Sequence, residues 1–222
     1  MIISKMYSQL ALRLEDEGGT TFTNSDKRVA LDAAQRQCAS ILDLSYIRNL
    51  EKRKVNIPLS VNESIEDTFE LSLSDNSIYP FASKITLIEA PVRVGGEGIS
   101  SICRIVPLEF IEHQINPYIS SAENELLACH YGNKILILSG GFRPEVAHIS
   151  YIQDPAEITD YTDIQGEIAL NETLHNVVLD LAEAELWARD KRHKRSMQAA
   201  KKANTFLSIL NSRKLEDFED SI

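Results

Sequence analysis

Seven basic side chains crowd one short stretch of the sequence: Arg189, Lys191, Arg192, Lys194 and Arg195, with Lys201 and Lys202 just beyond. They are 7 of the 23 Lys and Arg residues in a chain whose net charge is -10. A positive cluster on an acidic protein attracts phosphates or carboxylates, so its chemistry would be contact with duplex DNA or with an acidic partner surface. The competing reading is a solvated turn between two helices, where like charges commonly gather. His193 is the only aromatic ring inside the run, too few for stacking unpaired bases. A second, smaller group, Arg48, Lys52, Arg53 and Lys54, marks the exit from a predicted helix.

Other residue types that could react are poorly arranged for it. Cys129-His130 pairs a thiol with a base, but neighbours on a strand point to opposite faces, so the two cannot easily share a proton. Cys38, Cys103 and Cys129 are odd in number and widely spaced, which suggests reduced thiols rather than a disulfide framework or a CxxC metal site. His113, His148, His175 and His193 show no HxH or HExxH spacing. Gly95-Gly96-Glu97-Gly98 and Gly140-Gly141 fit neither phosphate-binding glycine pattern and read as turns. The 33 Asp and Glu residues form no pair in a recognisable apolar pocket that would raise a pKa for acid-base work. Trp187 falls on the apolar side of its helix and reads as core. The sequence therefore predicts no catalytic residue, no cofactor and no metal.

A chain of 222 residues with 43% hydrophobic content can bury a proper core. Its negative charge argues against a dedicated nucleic-acid binder, whose footprint is basic. The first residues lack the continuous apolar region of a signal peptide, and the longest aliphatic run, Ile135 to Leu138, is far short of the about 20 apolar residues that span a bilayer. A soluble chain without membrane contact is expected.

Helical and extended periods divide the chain. Ile3, Met6, Tyr7, Leu10 and Leu14 recur at helical steps, predicting a helix over 2–14. A second helix is expected from Val29, Ala30, Ala33, Ala34, Gln37, Cys38, Ile41 and Leu44, capped by Asn24 or Ser25, with Asp26 at the positive end of its dipole. From Lys54 the period falls to 2: Val55, Ile57, Leu59 and Val61 alternate, then Phe69, Leu71 and Leu73. Further strands are expected over 84–89, 91–94 and 99–106, and a short helix over 107–115. Gly132-Asn133 between two apolar runs predicts a hairpin, with 147–151 as a third strand ended by Asp154-Pro155. After a polar linker, Leu174, Val177, Val178, Leu181, Ala184, Leu186 and Trp187 spread round more than half a helix, which implies several packing partners; Asn171 is its expected N-cap. Met197, Ala200, Ala203, Phe206, Leu207 and Leu210 give the apolar face of a last helix.

The expected fold class is α+β: a four-helix bundle formed by N- and C-terminal helix pairs, with an inserted antiparallel β module. The divisions are residues 1–50 for the first helix pair, 51–165 for the β module, 166–214 for the second pair, and 215–222 for a flexible acidic tail.

The order of Ala34–Leu42 (AQRQCASIL), Val106–Tyr118 (VPLEFIEHQINPY), His130–Leu138 (HYGNKILIL), Ala147–Ile158 (AHISYIQDPAEI) and Leu174–Lys191 (LHNVVLDLAEAELWARDK) resembles the head-tail adaptor proteins of tailed phages. The gatekeeper or tail-tube-A type, and the neck ring proteins of podophages including the crAss-like group, are the relatives this order suggests. The stretch Asn62 to Gly98 has no counterpart in that pattern. The resemblance implies a structural virion protein: a twelve-subunit ring beneath the portal that extends the DNA channel and docks the tail or the next neck ring. It further implies the portal and a tail or neck protein as partners, non-specific contact with genomic double-stranded DNA, and a place in the virion neck after synthesis in the host cytoplasm. The alternative is a small intracellular α+β enzyme or a DNA-binding regulator.

Overall fold

The computed structural model describes residues 2–62, 68–94, 97–114, 126–139, 142–159 and 168–219, leaving aside the side chains at 93–94, 97–100, 112–114 and 213–219. The fold is α+β, and the chain divides into two compact units, Met1–Leu50 with Asp154–Ile222, and Glu51–Gln153.

The first unit is built round one helix. Helix α1 (Ile3–Arg13) buries Ile3, Met6, Tyr7 and Leu10, and α2 (Asn24–Ile41) buries Ala30, Leu31, Ala34, Cys38 and Ala39. Helix α4 (His175–Arg189) buries residues on nearly every side, from Val177, Val178 and Leu179 to Leu186 and Trp187, and packs against α1, α2 and α5 (His193–Glu219). Its expected burial among several partners is met. Arg13 ties α1 to α4 through Asp180 at 2.5 Å and Asn176 at 3.2 Å.

Several local expectations are corrected. The N-cap of α2 is Thr23: its hydroxyl accepts from the Asp26 N–H at 3.1 Å, and the Asp26 carboxylate accepts from the Thr23 N–H at 2.9 Å. That reciprocal pair satisfies two amides, whereas Asn24 or Ser25 at the cap would leave the Thr23 N–H without the carboxylate. The buried stripe of α2 runs Lys27, Ala30, Leu31, Ala34, Gln35, Cys38, Ala39, so Val29, Ala33, Gln37 and Ile41 face outward. Asn171 caps a 3-10 turn, Glu172–Leu174, one turn ahead of α4. The last helix buries Ala199, Ala203, Leu207 and Leu210, while Met197 and Phe206 are exposed.

The second unit contains two sheets, ordered β1-β9-β4-β5 and β2-β3-β8-β7-β6. The strands are β1 (Glu51–Pro58), β2 (Ser60–Val61), β3 (Thr68–Ser72), β4 (Pro80–Val94), β5 (Glu97–Ile102), β6 (Arg104–Ile105), β7 (Leu127–Tyr131), β8 (Lys134–Leu138) and β9 (Val146–Gln153). Pairings are antiparallel except β6 with β7, which corrects the all-antiparallel expectation. The stretch expected as one strand over 99–106 divides at Cys103 between the two sheets, and the strands expected over 84–89 and 91–94 are one, β4. The strand after the hairpin, β9, joins β1 and β4 rather than β7 and β8. Of the alternating set at the start of the unit only Ile57 is buried; Val55 and Val61 are exposed.

One core fills the space between the sheets, with Ile57, Ile88, Ala147 and Ile149 from one and Phe69, Leu71, Ala128, Ile135 and Ile137 from the other. The alternate residues of the hairpin, Leu127, Cys129, Leu136 and Leu138, pack with Ile111 of a short helix α3 (Leu108–Gln114). Burial on both faces explains why β8 reads ILIL without polar alternation. Gly132 takes φ 57° in the hairpin turn, where an added Cβ would meet nothing within 4 Å. The pairs Gly95-Gly96 and Gly140-Gly141, and residues 160–167 of the polar linker, lie outside the described residues. Of the acidic run 215–222, the helix includes residues up to Glu219, and residues 220–222 are not described.

Candidate functional site

The basic run sits at the junction of α4 and α5. Helix α4 stops there by hydrogen bonding rather than by a glycine: the Lys191 N–H donates to Ala188 O at 3.1 Å and the Arg192 N–H to Trp187 O at 2.9 Å. These two crossed bonds satisfy carbonyls left free at the helix end, and they require a left-handed residue at Lys191, which takes φ 58°. The chain then re-enters a helix at His193, so Lys194 and Arg195 fall in its first turn.

The arginines of the run are engaged. Arg192 and Arg195 lie over the Trp187 ring, their guanidinium carbons 4.8 Å and 4.9 Å from its centroid. Trp187 itself is 2% exposed and meets Phe22 edge-on at 5.6 Å. Its indole N–H donates to Glu183 at 3.3 Å. Arg195 also pairs with Glu15 at 3.5 Å, Arg192 with Asp190 at 2.7 Å, and Arg189 with Glu185 and, at 3.9 Å, with Asp26. The Thr23 hydroxyl and amide lower the Asp26 pKa, with a smaller contribution from the Arg189 charge. Lys191, Lys194, Lys201 and Lys202 are exposed and have no ion-pair partner among the described residues.

The predicted set thus separates in two. Arg189, Lys191, Arg192, Lys194 and Arg195 come together around the turn, while Lys201 and Lys202 stand further along α5 beside Thr205, Phe206 and Ile209. Trp187 is buried, as its place on an apolar face suggests, yet two cations also cover it. Nothing in the spacing signals this, because the left-handed turn at Lys191 sets the return path of Arg192 and Arg195.

A second charged constellation was not visible in the sequence. Lys27 and Asp16 form an ion pair at 3.1 Å with side chains 2% and 1% exposed. Asp16 also accepts from Thr20 Oγ1 at 3.1 Å and from the Thr21 and Phe22 N–H groups at 3.0 Å, while Lys27 donates to the Asp16 carbonyl at 2.8 Å. Burial alone would raise the Asp16 pKa; those amides, the ammonium and the hydroxyl overcome it and hold the carboxyl well below the usual range. The pair is internally satisfied, which makes it a lock on the loop between α1 and α2.

The remaining candidates have no shared geometry. Cys38, Cys103 and Cys129 are buried thiols, and burial pushes Cys38 and Cys103 up to about 12. His148 accepts the Asn56 N–H at 3.0 Å through Nδ1, at a bulge between β1 and β9. His175 contacts Leu170 O at 3.0 Å, and the side chain of His113 lies outside the described residues. Among the described residues no group of three His, Cys, Asp or Glu converges as metal ligands, and no helix is long and apolar enough to cross a membrane. The chain matches no protein-family model and no curated protein.

Proposed function

We propose that this chain is a structural subunit of the neck of a tailed-phage particle: a head-tail adaptor that forms a ring of twelve beneath the portal, extends the DNA channel and docks the tail or the next neck ring. One observation carries the reading. Three segments on which the resemblance rests meet inside the helical unit, although they are far apart in sequence. Gln35 donates to Ala156 O at 2.8 Å, Arg36 pairs with Asp154 at 3.1 Å, and α2 packs on α4. Arg28 adds a bond to Ile158 O at 2.8 Å. The insertion of a β unit between Leu50 and Asp154 fits an adaptor built as a helical bundle carrying a β domain, in which α1 and α2 join α4 and α5 as a four-helix bundle.

Such a subunit works by its surfaces and needs no catalytic residue, cofactor or membrane. Its lateral contacts are heterologous, one face of each copy meeting a different face of the next. Within the basic run, Lys191, Lys194, Lys201 and Lys202 are exposed with no ion-pair partner among the described residues, and these would touch genomic DNA or an acidic partner. Quantitative mass spectrometry of purified particles tests the reading: copies near those of the portal protein support it, and absence from the particle overturns it. The same unpaired lysines favour a DNA-binding regulator as the second reading. That reading requires duplex affinity that falls steeply with salt, in a chain missing from the virion.

A further inference from the structure

Strand β1 is the outer strand of its sheet, and it meets β9 through a bulge. Lys54 lies opposite Ile149 and Ile57 opposite Ala147, so Val55 and Asn56 together face the single residue His148. Asn56 takes φ 55°, left-handed geometry that strains a residue with a Cβ. Its backbone N–H donates to a side chain, His148 Nδ1, at 3.0 Å.

An imidazole accepts through Nδ1 only while it is neutral, with its one proton on Nε2. A second proton turns Nδ1 into a donor, which then meets the Asn56 N–H donor to donor. The register also gives the imidazolium somewhere to turn. Glu89 of β4 stands directly opposite His148, and Arg53 of β1, opposite Ser150 on the same face, pairs with Glu89. Glu51, opposite Ile152, is the next charged side chain of β1 on that face, and β5 sets the uncharged Ile102 opposite Glu89. Lys52 and Lys54 fall on the other face by alternation. Asn56 is exposed, so water takes over its N–H on release, and the residue is then free to leave the left-handed region.

We propose that His148 is an acid-sensitive latch on the edge strand: neutral, its Nδ1 lone pair holds the Asn56 amide and keeps the bulge closed; protonated, it releases that amide, turns toward Glu89 and lets Val55 and Asn56 leave β9. The pairs Arg53 with Ser150 and Ile57 with Ala147 stay in place on either side, so the opening is local. The latch lies within the β unit and does not rest on the adaptor reading.

Nuclear magnetic resonance of the whole chain tests it from about pH 8 to about pH 5, the range in which histidine ordinarily changes charge. At the upper end the His148 ring should be the Nε2–H tautomer. On acidification the Asn56 amide resonance should move with the same midpoint as the His148 ring. Its hydrogen-exchange protection should fall about tenfold, the worth of one hydrogen bond, while Ser150 and Tyr151 in the middle of the sheet keep theirs. His148→Asn places an oxygen acceptor near the Nδ1 position without a titrating group, so Asn56 should stay protected to the acid end. His148→Leu should leave the bulge open throughout, and Glu89→Gln should move the opening to lower pH, because the imidazolium loses its counter-charge. Far-UV circular dichroism checks that each variant is folded. An Asn56 amide that stays protected through the His148 titration, an Nδ1–H tautomer at neutral pH, an acid response unchanged in His148→Asn, or a midpoint indifferent to Glu89→Gln would overturn the proposal.

Discussion

Two assemblies of paired charges stand in the helical unit, and they differ in how much water reaches them. Lys27 and Asp16 are almost wholly enclosed, and hydrogen bonds occupy both carboxylate oxygens. At the α4–α5 turn, the side chains of Arg189, Arg192 and Arg195 are each about half exposed, and the partners Glu185 and Glu15 are reachable by solvent, whereas the Asp190 oxygen that meets Arg192 is buried. Enclosure turns the first pair into a structural lock whose loss leaves a buried charge. Exposure makes the pairs of Arg195 and Arg189 exchangeable, so that a partner's phosphate or carboxylate could replace Glu15 or Glu185 at small cost.

The largest expected effect follows from the lock. Asp16→Ala strands the Lys27 ammonium and the Thr21 and Phe22 amides, and breaking one side of a buried pair costs about 3–5 kcal/mol. Urea unfolding should show it; a loss under about 1 kcal/mol would place the pair with the surface ion pairs and erase the contrast.

Acid should erase the same difference. The Asp16 carboxyl is lowered in the fold, so its contribution is fully present above the unfolded value, about 3.9, and is lost as pH falls through the lower folded value. The stability gap between the native chain and Asp16→Ala should therefore be constant near neutrality and narrow on acidification below about pH 4. Asp26, lowered chiefly by Thr23, adds to the acid sensitivity of both proteins equally. A gap that widens toward low pH would contradict the assigned protonation state.

The contrast also marks what was legible in the sequence. Apolar periodicity found α1, α4 and the β7–β8 hairpin, because their burial is wide enough to leave a pattern. It misjudged α2 and α5, where small or apolar residues lie on both sides of the helix and only tertiary contacts choose the inner one. Val29 and Ile41, or Met197 and Phe206, are as apolar as the residues that were buried instead. The division of the 99–106 stretch between two sheets depends on partners distant in sequence, with Arg104 opposite Leu127 and Glu89 opposite Ile102. The basic run was legible as charge, but its wrapping on Trp187 was not, since the helix end carries a lysine where the left-handed turn would favour glycine.

That lysine offers a gain of stability. Left-handed geometry costs an ordinary residue about 1 kcal/mol relative to glycine, so Lys191→Gly should raise the unfolding free energy by roughly that amount while keeping the turn. The substitution also deletes one unpaired cation. Any partner that reads the exposed lysines should then bind more weakly to a more stable protein, a combination that separates folding from recognition in one variant.

The effect built from the smallest individual terms sharpens the comparison furthest. Arg195→Gln removes a surface ion pair worth about 0.2–1 kcal/mol and a cation over Trp187 worth about 0.5–1 kcal/mol. At about 1 M salt the screening length is about 3 Å, so the ion-pair part of that cost should fade while the stacking part stays. The cost of Asp16→Ala should hardly change, because ions cannot enter the enclosed site. Trp187 fluorescence supplies a second reading: with one covering guanidinium gone, the ring should become more open to a neutral quencher, without unfolding. If salt weakened both variants' effects alike, the Asp16–Lys27 pair would be open to solvent, and the distinction between lock and exchangeable surface would fail.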